Sequence, residues 1–112
     1  MALSRSFKTT VKARAEHDDA YRAAMLKEGV ESLLNGDVEA AKSAIRVYIN
    51  ATVGFDALAN RSGSPSKSLM RMFGPRGNPS ACNLSTVLQQ LQRNSGINLS
   101  VRSSRASEWT ER

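Results

Sequence analysis

A glycine at position 63 separates two short apolar patterns, and this punctuation limits the fold more than any other feature of the chain. Upstream, Phe55-Asp-Ala-Leu-Ala59-Asn-Arg-Ser62 reads as a helical stretch; downstream, Ser64-Pro-Ser-Lys-Ser-Leu69-Met-Arg-Met72 begins another. Two short helices meeting across a tight turn make a helix-turn-helix, here over about residues 54–73. The spacing has a steric basis. Ala59, four residues before Gly63, stands where the helices cross closely and a small side chain fits, and Gly63 can take the positive φ of the turn without a Cβ clash. Leu58, Leu69 and Met72 fall where the motif needs apolar anchors. Ser64 and Pro65 predict the N-cap and first-turn residue of the second helix. Ser62 and Ser64 occupy places flanking the glycine that are usually apolar, which loosens the turn.

The rest of the chain reads as an all-α bundle around this motif. Phe7, Val11 and Ala15 fall four apart and predict a first helix ending near His17, a lid on the core. Asp18 or Asp19 caps the next helix, with Leu26, Val30, Leu33 and Leu34 as its apolar face and Asn35-Gly36 as its stop. Asp37 restarts the chain into a helix with the stripe Val38, Ala41, Ile45, Tyr48 and Ile49, so the two form an antiparallel hairpin. After the helix-turn-helix, Gly74-Pro-Arg-Gly-Asn-Pro79 is turn-rich. Asn78-Pro79 predicts the cap of a final helix that packs Leu84, Val87, Leu88 and Leu91 inward and stops near Asn94–Gly96. Ile97, Leu99 and Val101 then alternate with polar residues, the period of one short β-strand. A lone strand needs a partner, and pairing with its copy in a second subunit predicts a homodimer. Residues 1–102 thus read as a single helical domain, and 103–112 as a flexible tail containing Trp109.

Charge points to the partner. The 112 residues carry 16 Lys and Arg against 10 Asp and Glu, net +6, which favours a polyanion. Residues 1–53 hold eight bases and seven acids, whereas 54–112 hold eight bases and three acids. No acid occurs between Ala57 and Ser107, yet that stretch contains Arg61, Lys67, Arg71, Arg76, Arg93, Arg102 and Arg105. On the second helix of the motif, Ser66, Lys67, Ser68, Met70 and Arg71 face outward with no carboxylate among them, a composition that suits a major groove. Lys67 and Arg71, four apart, can reach base edges or backbone; Ser66 and Ser68 are weaker readers. Arg61, Arg76 and the opening amides of the last helix would hold phosphates on either side. An ordinary helical hairpin with a basic face is the bland alternative, but a solvated helix normally mixes both signs.

Other chemistry lacks a constellation. Cys82 is a lone cysteine and His17 a lone histidine, so neither a disulfide within the chain nor a zinc site is expected, and no metal or cofactor is implied. The scattered acids form no catalytic set, and the chain reads as a non-enzyme. Gly74-Pro-Arg-Gly lacks the Lys-Ser/Thr ending of a phosphate-cradling loop. No apolar run reaches the length of a membrane span, and the opening residues lack the apolar stretch of a signal peptide, so a cytoplasmic protein without membrane contact is expected.

The run Leu33-Leu34-Asn35-Gly36-Asp37, with Ile49-Asn-Ala-Thr-Val-Gly-Phe55-Asp-Ala-Leu-Ala59, Pro65-Ser-Lys-Ser-Leu-Met-Arg-Met72 and Gly77-Asn-Pro79, resembles the HigA-like antitoxins over about residues 3–102. These are addiction-module antidote proteins with a lambda-repressor-like helix-turn-helix. The resemblance implies a bacterial dimer that neutralises a RelE-like or HigB-like mRNA-cleaving toxin and represses its own operon by binding double-stranded operator DNA. It matches Ser66, Lys67, Ser68 and Arg71 to recognition positions, and Asn78 to a backbone-contact position. Related antitoxins use different segments for the toxin. Because such toxins are typically basic, the acid-bearing helices around Glu28, Glu31, Asp37 and Glu39 are the expected toxin-binding face.

Two other readings compete: a stand-alone helix-turn-helix repressor without a toxin, and an adaptor whose basic half contacts acidic protein surfaces. A neighbouring reading frame for a small basic protein separates the first from the antitoxin. Salt dependence of DNA binding separates the second.

Overall fold

In a computed structural model of the chain, residues 5–105 are described; Trp109 and the remainder of the tail from 106 onward lie outside the described residues. Six helices follow in order: α1 Arg5–His17, α2 Asp19–Leu34, α3 Val38–Ala51, α4 Phe55–Ser62, α5 Ser66–Met72 and α6 Ala81–Ser95. The α-helical bundle expected from the periodicities is therefore present.

Local chemistry sets most of the boundaries. The carboxylate of Asp18 accepts from the Tyr21 amide at 3.0 Å and opens α2, and Asp37 accepts from the Ala40 amide at 3.1 Å and opens α3. Between them Gly36 turns the chain at φ +83°. The start of α6 differs from expectation: Ser80, not Asn78, is the cap, its hydroxyl accepting from the Asn83 amide at 3.1 Å. A serine adjoining the helix outcompetes an asparagine two residues earlier. Likewise α5 begins at Ser66 after Pro65, one residue later than the Ser64 cap predicts, and has no side-chain cap.

The main core gathers Leu26 from α2, Ile45, Tyr48 and Ile49 from α3, Phe55 and Leu58 from α4, Leu69 and Phe73 from the end of the motif, and Val87 and Leu91 from α6. Helix α1 stands on a separate small cluster of Val11, Ala15 and Ala51. The α2–α3 hairpin packs tightly, since a Cβ on Gly29 would sit 3.1 Å from Ile45 Cγ1. The hydroxyl of Tyr48 shares a hydrogen bond with the Ser95 hydroxyl, pinning α3 to the end of α6. Burial pushes the Tyr48 phenol above its ordinary value, against the opposing pull of Ser95 and Arg22.

Two further expectations fail. Leu34 and Val38 belong to the apolar stripes, yet they are 66% and 42% exposed because they flank the hairpin turn, beyond the reach of the core. No strand occurs among the described residues, so Ile97, Leu99 and Val101 are not a β-strand here. Their alternation has another cause. Leu99 packs against the main core, the Ile97 amide donates to the Gln92 carbonyl at 3.0 Å, and the Leu99 amide donates to the Gln92 side chain at 2.9 Å. The segment is laid back on its own helix, while Val101 is 82% exposed. Ser103–Arg105 are exposed and without regular structure.

Candidate nucleic-acid interface

The turn between α4 and α5 depends on one residue. Gly63 adopts the left-handed conformation (φ +77°, ψ 7°) and its amide closes α4 on the Ala59 carbonyl at 3.0 Å. A Cβ there would meet nothing within 4 Å, so the requirement is conformational and not a matter of space. The Ser62 hydroxyl accepts from the Ser64 amide at 3.4 Å, and both serines are half-buried, which gives these polar residues a place beside the turn.

Leu69 buries α5 against the core at 1% exposure, and Phe73 follows it inward. The opposite face therefore projects Lys67, Ser68, Met70 and Arg71 into solvent, with Ser66 half-buried at the helix start. Arg61 is exposed in the last turn of α4, and Arg76 and Asn78 are exposed in the loop before α6. The ion pairs among the described residues are Arg14–Asp18, Arg22–Asp19 and Lys42–Glu39. None of them neutralises Arg61, Lys67, Arg71 or Arg76. The one carboxylate in the motif, Asp56, lies in the first turn of α4, where it complements that helix's own dipole.

The loop after α5 is held from behind by a residue whose part the sequence did not reveal. Lys42 on α3 is 3% exposed, and its ammonium donates to the carbonyls of Gly74 at 3.0 Å and Gly77 at 2.7 Å, with Glu39 at 3.0 Å. A buried ammonium is tolerated only when such acceptors replace its water. Gly77 lets the loop close onto α5, because a Cβ there would overlap the carbonyl oxygens of Arg71 and Met72. Arg76 and Asn78 are thereby fixed relative to Arg71. The readable trace was a lysine beside Ala41 on the buried side of an apolar helix; which carbonyls it would reach was not.

The four acids expected to meet a toxin are all exposed, but they are not equivalent. Asp37 is committed as a helix cap and Glu39 to Lys42, whereas Glu28 and Glu31 on α2 have no such task. Glu31 stands near the hairpin tip that exposes Leu34 and Val38. Among the described residues no three His, Cys, Asp or Glu side chains gather as a metal site, and no helix is long and apolar enough to cross a membrane. Cys82 is exposed in the first turn of α6.

Compared with family models, curated proteins and solved structures, the chain matches none.

Proposed function

We propose that this protein is a cytoplasmic, dimeric, sequence-specific DNA-binding repressor that inserts α5 into the major groove and serves as the antitoxin of a type II toxin–antitoxin module. The observation that carries the DNA reading is the acid-free outer face of α5. Lys67 and Arg71 project from it without ion-pair partners among the described residues, and Arg61 and Arg76 flank it. On this reading Arg71 and Lys67 reach base edges, Ser66 and Ser68 add weaker polar contacts, and Arg61, Arg76, Asn78 and the opening amides of α6 hold phosphates.

The antitoxin half rests on the resemblance to HigA-like proteins and on the α2–α3 hairpin, whose exposed Leu34 and Val38 sit beside Glu31 and Glu39. An apolar tip with an acidic border suits a basic partner of the RelE/HigB kind. Glu28 and Glu31, free of structural duties, are the residues to reverse; undiminished toxin capture by that double variant would remove this face from the proposal.

DNA binding is tested by fluorescence anisotropy with DNA from the protein's own upstream region and shuffled DNA of equal length, at several salt concentrations. Tight binding to the native fragment alone is expected. Replacing Lys67 and Arg71 by Ala should lower the slope of log affinity against log salt by about one per lost phosphate contact, or relax base preference. Equal, steeply salt-dependent binding to both fragments would overturn sequence-specific repression and favour the adaptor reading.

A further inference from the structure

A groove of about 550 Å³ runs between α1 and α3, on surfaces that the DNA reading does not use. Phe7, Val11 and Val47 give it an apolar floor, and Lys8, Lys12 and Arg46 stand along it, with no carboxylate among the described residues of the lining. None of these three cations belongs to an ion pair among the described residues. Lys8 and Lys12 are exposed and one helical turn apart on α1, and Arg46 faces them from α3. An occupant that complements this groove carries one large apolar side chain with negative charge beside it.

Beyond α6 the chain contains one such segment. Its single tryptophan, Trp109, is bracketed by Glu108 and Glu111, the only acids after Asp56. Everything between is acid-free, so the carboxylates that return after Asp56 flank the chain's one indole. We propose that the segment Glu108–Glu111 docks in the α1–α3 groove of its own chain, with Trp109 on the apolar floor and the two glutamates against Lys8, Lys12 and Arg46. The indole gains apolar contact and a cationic neighbour over its ring, and the glutamates supply the charge the groove lacks. Asn94 and Ser95, at the end of α6, line a cleft with Ala51, which also lines the groove. From Leu99, anchored to Gln92, ten residues lead to Trp109, about 33 Å of extended chain.

Trp109 is its own probe. In the full chain at micromolar concentration, excited where tyrosine does not absorb, docking predicts blue-shifted emission and acrylamide quenching several-fold weaker than that of N-acetyl-tryptophanamide. The triple variant Lys8→Glu, Lys12→Glu, Arg46→Glu should return both to the values of a solvated indole, with helix content by circular dichroism unchanged. Adding Glu108→Lys and Glu111→Lys to that variant should restore the protection. Solvated emission in the unaltered chain would overturn the proposal, as would protection that the triple variant leaves intact. Protection that disappears on dilution would also overturn it, because the groove would then be filled by a second copy. None of these readings depends on DNA or toxin binding.

Discussion

The ammonium of Lys42 lies 2.7 Å from the carbonyl oxygen of Gly77, thirty-five residues further along the chain. A single side chain on α3 thus decides where the loop between α5 and α6 rests. Lys42→Met keeps the apolar stem and removes the donors, taking the ammonium from the Gly77 carbonyl and leaving the Gly74 carbonyl with the Gly77 amide alone. The expected cost is about 2 kcal/mol, read as a lower urea midpoint, together with faster amide exchange in residues 74–77. On the proposed reading DNA affinity also falls, since Arg76 and Asn78 ride on that loop.

Two glycines close to α5 should respond differently to alanine. At Gly77 the objection is steric, because the new Cβ overlaps two backbone carbonyls, and a loss of about 3 kcal/mol is expected. At Gly63 it is conformational, with open space around a φ of +77°, and the loss should be about 1 kcal/mol. Asn, which tolerates the left-handed region, should recover part of the second loss and none of the first. Denaturant midpoints of the variants decide the matter, and equal losses at both sites would contradict the geometry.

Tyr48 links stability to alkaline pH. Its phenol is raised above 10.0, chiefly by burial, so the folded state holds this proton more tightly than the unfolded chain does. The associated stability is complete below pH 10, where both states are protonated, and is lost as pH rises from there through the folded value. Tyr48→Phe should cost about 1 kcal/mol at pH 7 through the lost bond to Ser95. Its urea midpoint should also fall less steeply than that of the unaltered protein above pH 10.

Met70 is the apolar tip on the outer face of α5, half exposed between Lys67 and Arg71. In a major groove the complement of such a group is the thymine methyl. On the proposed reading, replacing thymidine by deoxyuridine throughout the native fragment should therefore weaken binding several-fold, and Met70→Ala should abolish the difference between the two DNAs. Insensitivity of the unaltered protein to the methyl groups would remove Met70 from base reading while leaving Lys67 and Arg71 in place.

What the sequence made legible was local. Asp18 and Asp37 cap helices through amides three residues away, and Gly36, Gly63 and Gly96 adopt positive φ at ends that composition marks. Where two capping residues compete, as Asn78 and Ser80 do, the boundary moved. Leu34 and Val38 were misplaced because a helical stripe says which side of a helix is apolar and not how far along it the core extends. The role of Lys42 is not legible in the sequence because its partners are backbone carbonyls more than thirty residues away, which no side-chain pattern reports. The outer face of α5 was readable because Leu69 fixes its rotation and the neighbouring residues then point outward by helical geometry.

No strand occurs among the described residues, so the Leu99 amide serves the single chain, where it is given to the Gln92 side chain. Leu99→Pro removes that donor and should lower the stability of the single chain, read as a lower urea midpoint. An unchanged midpoint would show that the bond to Gln92 contributes nothing.

Gln92 has one more consequence. An alternating apolar segment such as Ile97–Val101 is the kind of unpaired edge on which unrelated chains accrete. In the folded chain the glutamine accepts the Leu99 amide and Leu99 rests against the core, so that amide is not offered to another chain. Solubility during synthesis, more than the stability of the finished fold, is where its loss would first be felt.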